Sequence, residues 1–132
     1  MKALLDTHIL LWWLEQSSRL SRRQARVIRS AREDQPLWVS DISLWEIATL
    51  SRLGRLRLHL PLREFLERAA APPLVQCLRI TPAVAAEVAS LPEGFSRDPA
   101  DRIIVASARV LGATLLTHDS RIIDAKLVPT LE

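Results

Sequence analysis

The sequence predicts an α/β fold: a three-layer α/β/α sandwich around a central, mostly parallel sheet of about five strands. Short apolar runs, typical of strands buried on both faces, alternate along the chain with longer helical segments. Helix-capping signatures separate the two kinds of segment, as at Ser21, Thr81-Pro82 and Asp98-Pro99. Because successive strand–helix–strand units build a parallel sheet with helices on both faces, this alternation favours the α/β class.

Five segments are predicted as strands. The first four have apolar residues running between turn or cap signals, and the fifth is weak. They are Lys2–Asp6, Leu37–Ser40, Leu74–Ile80, Ala113–Thr117 and a segment near Lys126–Val128.

The helices are predicted from their caps and breakers. They run over about Thr7–Glu15, from a cap at Ser21 to about Glu33, and over Asp41–Leu53, Leu62–Ala71, Pro82–Leu91 and Pro99–Leu111, with a short helical turn after Asp119. Gly54 and Gly112 stand where C-terminal caps belong, and Pro72-Pro73 ends the fourth helix.

Composition limits the class of protein. A chain of 132 residues, 48% hydrophobic and 25% charged, is expected to form one globular domain over residues 1–132. The single Cys77 excludes an internal disulfide framework and fits a reducing, cytoplasmic compartment. The longest apolar run, Ile9–Leu14, is far shorter than the ~20 residues of a membrane span, so we expect no membrane association.

The charge is strongly biased towards arginine. Lys and Arg total 18 against 15 acids, the net charge is +3, and 16 of the 18 bases are Arg. Since the guanidinium fork suits phosphate oxygens, this favours nucleic acid or an acidic partner. A GC-rich genome explains the same bias equally well.

Two acids stand at predicted strand ends. Asp6 ends the first strand and Asp119 follows the fourth, and open α/β sheets bind ligands outside the carboxyl ends of their strands. The alternative for each is a plain N-cap of the following helix.

Three more acids are candidates. Glu46 lies between apolar neighbours inside a helix, although Ser43-x-x-Glu46 also matches a capping box. Asp98 and Asp101 are spaced three apart at a helix start, where capping and helix-dipole roles compete with a functional one.

Carboxylates that converge in one cleft repel each other unless a cation neutralises them. Oxygen ligands without paired His or Cys select Mg²⁺ or Mn²⁺. Without these five acids the remaining body carries +8. An acidic metal pocket in a basic body is the layout expected for cleaving a phosphodiester backbone by metal-activated water. His8, Arg22, Arg26 and Arg102 are weaker candidates for substrate contacts, because a packed His and a solvated Arg face are the commoner alternatives.

Four motifs now carry a family resemblance: Asp6-Thr-His8 with Leu11-Trp12, Ser40-x-x-Ser43-x-Trp45-Glu-Ile-Ala48, Asp98-Pro-x-Asp101-Arg with Ile104-x-Ala106, and Leu115-Leu-Thr-x-Asp119. In this order, over nearly the whole chain, they resemble PIN-domain ribonucleases, and among those the toxins of the VapC type.

The resemblance implies a Mg²⁺- or Mn²⁺-dependent endoribonuclease whose carboxylate quartet is Asp6, Glu46, Asp101 and Asp119, with Asp98 in support. In this hypothesis Asp6, Asp101 and Asp119 hold the metal, and Glu46 positions or deprotonates the attacking water. The resemblance also implies an RNA substrate, a cognate antitoxin that blocks the site, and a homodimer. Two other functions fit the residues alone: a non-catalytic nucleic-acid-binding module using an Arg-rich helix, and a metal phosphoesterase acting on DNA.

Overall fold

The computed structural model describes residues 1–71 and 73–132. Five strands and seven helices make up the regular structure of these residues. The strands are β1 (Ala3–Leu5), β2 (Leu37–Ser40), β3 (Val75–Leu78), β4 (Thr114–Leu116) and β5 (Thr130–Leu131). The helices are α1 (Thr7–Leu14), α2 (Arg22–Arg29), α3 (Asp41–Arg52), α4 (Leu62–Ala69), α5 (Pro82–Ser90), α6 (Pro99–Leu111) and α7 (Ser120–Ala125).

All five strands pair in parallel, in the order β3-β2-β1-β4-β5. The chain therefore builds one half of the sheet outward from β1, then crosses over to build the other half from β4. Leu5 is in register with Leu116, and the amide of Asp6 donates to the Leu116 carbonyl at 3.0 Å. A crevice forms beyond the strand ends at such a switch point, because the connections on its two sides diverge.

The strands β1 and β4 bury side chains on both faces of the sheet, as the two-residue repeat of a strand requires. Leu5 and Leu116 pack with α1, α2 and α4, whereas Leu4 and Leu115 pack with α5, α6 and α7. All four leucines are fully buried. The predicted three-layer α/β/α sandwich with a central parallel sheet is thus confirmed.

The predicted caps hold the helix ends. The side chains of Ser21, Thr81 and Asp98 each accept a hydrogen bond from a first-turn amide, and Gly112 ends α6 at φ 68°. A residue with a side chain is strained at such a φ, which is why glycine suits this position. Across the described ranges, none of the helices has both the length and the apolar character that crossing a membrane requires.

Two predicted elements differ from the structure by more than a residue or two at one end. Helix α2 ends at Arg29 rather than near Glu33, because Arg32 and Gln35 exchange two backbone hydrogen bonds in a tight turn. The last strand is Thr130–Leu131 rather than the segment near Lys126–Val128, because Lys126 takes a left-handed conformation to cap α7. Pro72, part of the predicted stop after α4, lies outside the described residues.

Candidate active site

A cleft of about 300 Å³ opens where β1 and β4 end. Its lining side chains are Asp6, His8, Trp12, Glu46, Asp98, Asp101, His118, Asp119 and Arg121. The five acids predicted from the sequence are all among them, carried by four different connections of the sheet. The fold thus brings together carboxylates that are up to 113 positions apart in the chain.

Asp6 and Asp119 each cap a helix and also face the cleft. Oδ1 of Asp6 accepts from the Thr7 amide at 2.8 Å at the start of α1, and Oδ1 of Asp119 accepts from the Arg121 amide at 2.9 Å at the start of α7. Capping occupies one oxygen of each carboxylate. The capping alternative and the functional one are therefore compatible at both positions.

A single buried hydroxyl links these two acids. Thr117, directly after β4, donates from Oγ1 to Oδ2 of Asp6 at 2.7 Å and accepts the Asp119 amide at 3.0 Å. Its own amide donates to the Leu131 carbonyl on β5, which fixes its position in the sheet. Asp6 is only 8% exposed, and burial raises its pKa, while the Thr117 bond opposes that rise by stabilising the charged form.

Thr117→Val is expected to weaken Mn²⁺ binding about tenfold, since losing a partner that orients a metal ligand typically has this effect. The variant leaves Oδ2 of Asp6 and the Asp119 amide without their shared partner, so unfolding should also become easier by about 1–3 kcal/mol. Titration calorimetry with Mn²⁺ and urea unfolding measure the two effects. Thr117→Ser keeps the hydroxyl and is the matched control; equal losses in both variants would contradict this role.

Asp101 and Asp98 are joined in the same way by Ser96. The Ser96 hydroxyl donates to Oδ2 of Asp101 at 3.2 Å and accepts the Asp98 amide at 3.1 Å. Burial raises the pKa of Asp101 to about 6, and the charges of Asp98, Asp119 and Asp6 add to the rise. A carboxyl with this pKa begins to take up a proton just below neutral pH, and a bound cation would hold it ionised.

Arg102 holds the segment that carries Ser96. Its guanidinium donates to the carbonyls of Val88, Leu91, Pro92 and Ser96, at 3.1–3.3 Å. These bonds tie the end of α5 and the following loop to α6. We expected Arg102 to contact substrate, but these contacts give it a structural role behind the cleft.

Glu46 reaches the cleft from the middle of α3. Ser40, not Ser43, caps α3, and Ser43 Oγ is 2.9 Å from Thr7 Oγ1 on α1, so the alternative of a Ser43–Glu46 capping box is wrong. This contact between hydroxyls holds α3 against α1, one helical turn from Glu46. Burial raises the pKa of Glu46, and the negative charges of Asp98 and Asp6 contribute to the rise.

Arg121 is the cation that faces these carboxylates. Its Nη2 lies 3.3 Å from Oδ2 of Asp101 and 3.5 Å from Oδ2 of Asp119, and its side chain is 63% exposed. Because solvent screens an exposed pair, Arg121 offsets the repulsion only in part. Nothing in the sequence pattern marked Arg121 for this position.

The donor chemistry of the cleft suits a hard divalent cation, since it offers carboxylate oxygens from Asp6, Asp101 and Asp119 and no sulfur. Within residues 1–71 and 73–132, no three His, Cys, Asp or Glu side chains already surround one point as metal ligands. In this structure Asp6 accepts a hydrogen bond from Thr117, and Asp101 accepts hydrogen bonds from Ser96 and Arg121.

Three aromatic rings form one rim of the cleft. Trp12 lies between His8 and His118, with ring centroids 6.3 and 5.2 Å away. His118 is fixed by buried Gln24, whose Oε1 is 2.9 Å from His118 Nε2 and whose Nε2 donates to the Leu131 carbonyl. Since the amide nitrogen of Gln24 is committed to a carbonyl, its Oε1 accepts and His118 Nε2 carries the proton.

The remaining sequence candidates lie elsewhere. His8 lines the cleft and is exposed, and its role as a substrate contact stays a prediction. Arg22 and Arg26 are exposed on α2 and do not line the cleft. Sequence reasoning missed the positioning hydroxyls and Gln24, because short polar residues have too many local uses to be singled out without the fold.

Comparisons with known proteins agree with this architecture. The family model described as PIN domain matches residues 3–127. Ribonuclease VapC22 of Mycobacterium tuberculosis is 40% identical over 119 residues, covering 90% of this chain and 88% of that protein.

Two solved structures share the fold at low identity. The VapBC-1 structure from nontypeable Haemophilus influenzae has a TM-score of 0.75 at 17% identity, covering 100% of this chain and 98% of that one. A toxin-antitoxin complex from Klebsiella pneumoniae has a TM-score of 0.67 at 17% identity, covering 99% and 97%. The family match over most of the length and the 40% identical relative lead to one conclusion: this chain belongs to the PIN domain family.

Proposed function

We propose that this protein is an endoribonuclease toxin that depends on Mg²⁺ or Mn²⁺ and is neutralised by a cognate antitoxin. The observation that carries the proposal is the cleft of five carboxylates at the carboxyl ends of β1 and β4. The 40% identity to a protein named as a ribonuclease supports RNA as the substrate. That substrate would place its action in the cytoplasm.

Asp6, Asp101 and Asp119 would hold the divalent cation, with Asp98 in support. A bound cation would supply positive charge that activates water and stabilises the departing 3′ oxygen of the phosphodiester. The fit rests on the donor set and on the raised pKa of both Asp6 and Asp101, since ionised carboxylates crowded in one cleft need a counter-charge.

Glu46 would accept the proton of the attacking water. Its raised pKa brings it nearer to the operating pH, which favours a general base. It enters the cleft from α3, whereas the proposed cation ligands follow β1 and β4 or lie on α6. This separation would let Glu46 act on water without binding the cation itself. The 2′ hydroxyl takes no part, so the product carries a 5′ phosphate.

The charge layout supports a polyanionic substrate. Outside the cleft, whose lining includes Arg121, ten acids and 17 bases remain, which leaves a body of +7 around an acidic centre. The positive charges of such a body attract the phosphates of a nucleic-acid backbone. The acidic cleft repels a phosphate unless a bound cation neutralises its carboxylates. Cleavage should therefore fall with rising salt and stop in EDTA.

We propose the antitoxin as a partner because solved chains of the same fold come from toxin-antitoxin complexes. We also propose a homodimer, for which the exposed apolar surface is one favourable feature: Trp45 on α3 is 60% exposed. Light scattering of the purified protein, with Trp45→Glu as the test variant, measures the oligomeric state.

The test of the function is cleavage of a labelled single-stranded RNA by purified protein with Mg²⁺, with Mn²⁺ and with EDTA. We expect cleavage with either ion, none with EDTA, and products that a 5′-phosphate-dependent exonuclease degrades. If the protein binds RNA equally well with and without EDTA and yields no cleavage product, a non-catalytic binding module would be favoured instead. Cleavage of DNA but not RNA would favour the phosphoesterase alternative.

A further inference from the structure

A second, basic groove adjoins the acidic cleft and shares His8 and Trp12 with it. It has a volume of about 330 Å³. Its other lining residues are Leu11, Glu15, Ser17, Arg19, Arg55, Leu56, Arg57 and Leu58. One wall is α1, and the other is the segment after α3. The groove is thus continuous with the cleft across the aromatic rim.

The three arginines of the groove are available to bind an anion. Arg19, Arg55 and Arg57 are exposed, and within the described part of the chain none of them forms an ion pair. In contrast, Arg63 and Arg68 on α4 pair with glutamates of their own helix. Positive charge therefore concentrates in the groove without a partner from this chain.

The segment that carries Arg55 and Arg57 is anchored in place. Leu56 and Leu58 are half-buried against the core, whereas Arg55 and Arg57, which alternate with them, are exposed. Glu15 is the one acid that lines the groove, and it binds the imidazole and the backbone amide of His59. The Glu15 carboxylate is therefore occupied by His59, and these bonds hold the segment after α3 against the end of α1.

We propose that this groove binds the RNA strand next to the scissile phosphate, with flanking phosphates on Arg19, Arg55 and Arg57 and a base stacked on Trp12. This inference rests on the proposed function and extends it to a substrate path. A chain that places one phosphate in the cleft must lay its neighbours along an adjoining surface. The groove offers guanidinium groups for phosphates, and for bases it offers the half-buried ring of Trp12 beside the exposed ring of His8. This combination is used by single-strand binding sites.

The experiment measures binding of a fluorescent 12-nucleotide single-stranded RNA to Asp6→Asn protein, which is expected not to cleave it. We expect Arg55→Gln/Arg57→Gln to weaken binding at least tenfold and to reduce the slope of log affinity against log salt by about 1.4, since each phosphate contact with a single strand contributes about 0.7. Trp12→Leu should weaken binding about tenfold, and Trp12→Phe should keep most of the affinity, because any aromatic ring can stack.

Arg63→Gln/Arg68→Gln on α4 is the matched control, since it removes the same charge from exposed arginines outside both the cleft and the groove. We expect it to bind RNA nearly as well as the parent. Equal losses of RNA affinity in both double variants would mean that binding depends only on net charge. That result would contradict the proposal that RNA binds in the groove. A polyglutamate 12-mer that binds as tightly as RNA, unaffected by Trp12→Leu, would assign the groove to an acidic protein segment instead.

Cleavage separates failure of the inference from failure of the proposed function. If protein with an intact Asp6 cleaves RNA and the Arg55/Arg57 variant cleaves it with unchanged KM, the groove is not the substrate path although the function stands. If protein with both sites intact neither binds nor cleaves RNA, the proposed function fails and the inference fails with it.

Discussion

Asp6→Asn is expected to lower the rate of RNA cleavage on the order of a thousandfold or more while leaving the fold intact. Asp6 is the only acid that directly follows β1, the central strand of the sheet, and it is buried at the floor of the cleft. Its loss removes a full negative charge from the proposed cation site. An amide is a much weaker ligand than a carboxylate for a hard divalent ion.

The fold should survive because Asn preserves the shape and the local hydrogen bonds. Asn is as good an N-cap as Asp, so the bond from the Thr7 amide can remain at the start of α1. The Thr117 hydroxyl can rotate to meet the amide group. Circular dichroism and thermal unfolding should therefore match the parent, or show a modest gain from removing one buried charge.

Single-turnover cleavage in Mn²⁺ measures the loss, and calorimetry measures Mn²⁺ uptake by the same preparations. Asp124→Asn is the matched control, because Asp124 is exposed on α7 and does not line the cleft. The control should bind Mn²⁺ and cleave like the parent. Cleavage by Asp6→Asn protein at a rate close to that of the control would rule out the proposed mechanism.

The layered fold could be predicted because its signals are local. The apolar run Ala3–Leu5, the cap at Asp98 and the αL stop at Gly112 each reflect a few adjacent residues. The five carboxylates could be predicted to converge because parallel strands bring their carboxyl ends to one edge. The two-residue strand β5 could not be placed, since so short a segment carries no periodicity.

The network around the acids could not be predicted, because it joins residues far apart in the chain. Thr117 and Asp6 are 111 positions apart, and Gln24 and His118 are 94 apart. Neither pair leaves a pattern in the sequence, since each depends on the register of β1 against β4 and on the docking of α2. The contacts of Arg102 also depend on the fold, because its guanidinium binds backbone carbonyls of the segment before α6 and does not line the cleft.

Asp101→Asn is expected to stabilise the cation-free protein while it abolishes cleavage. The pKa of Asp101 is raised to about 6 in the folded protein, above its ordinary value of 3.8, because of burial and neighbouring acids. The folded state thus holds a proton that the unfolded state releases more readily. Stability from this group is lost as the pH rises from 3.8 through 6, and the full penalty applies at pH 7.5.

The raised pKa bounds the penalty at about 3 kcal/mol, since each unit corresponds to about 1.4 kcal/mol. Asn removes the charge but keeps an oxygen that can accept from Ser96, so most of this penalty should be recovered. We expect Tm in EDTA at pH 7.5 to rise by several degrees, at roughly 3–5 °C per kcal/mol for a chain of this size. The gain should shrink as the pH falls, and vanish near pH 4.

Adding Mn²⁺ should reverse the order of the two proteins. A cation that binds only the folded state stabilises the parent in proportion to the logarithm of its concentration over Kd, and the variant has lost one of the proposed ligands. A Tm difference that is independent of both pH and Mn²⁺ would contradict this account. The expected reversal has one physical cause. Without a cation, repulsion among the carboxylates of the cleft destabilises the folded protein, and a bound divalent ion relieves that repulsion, which raises the affinity of the cleft for the ion.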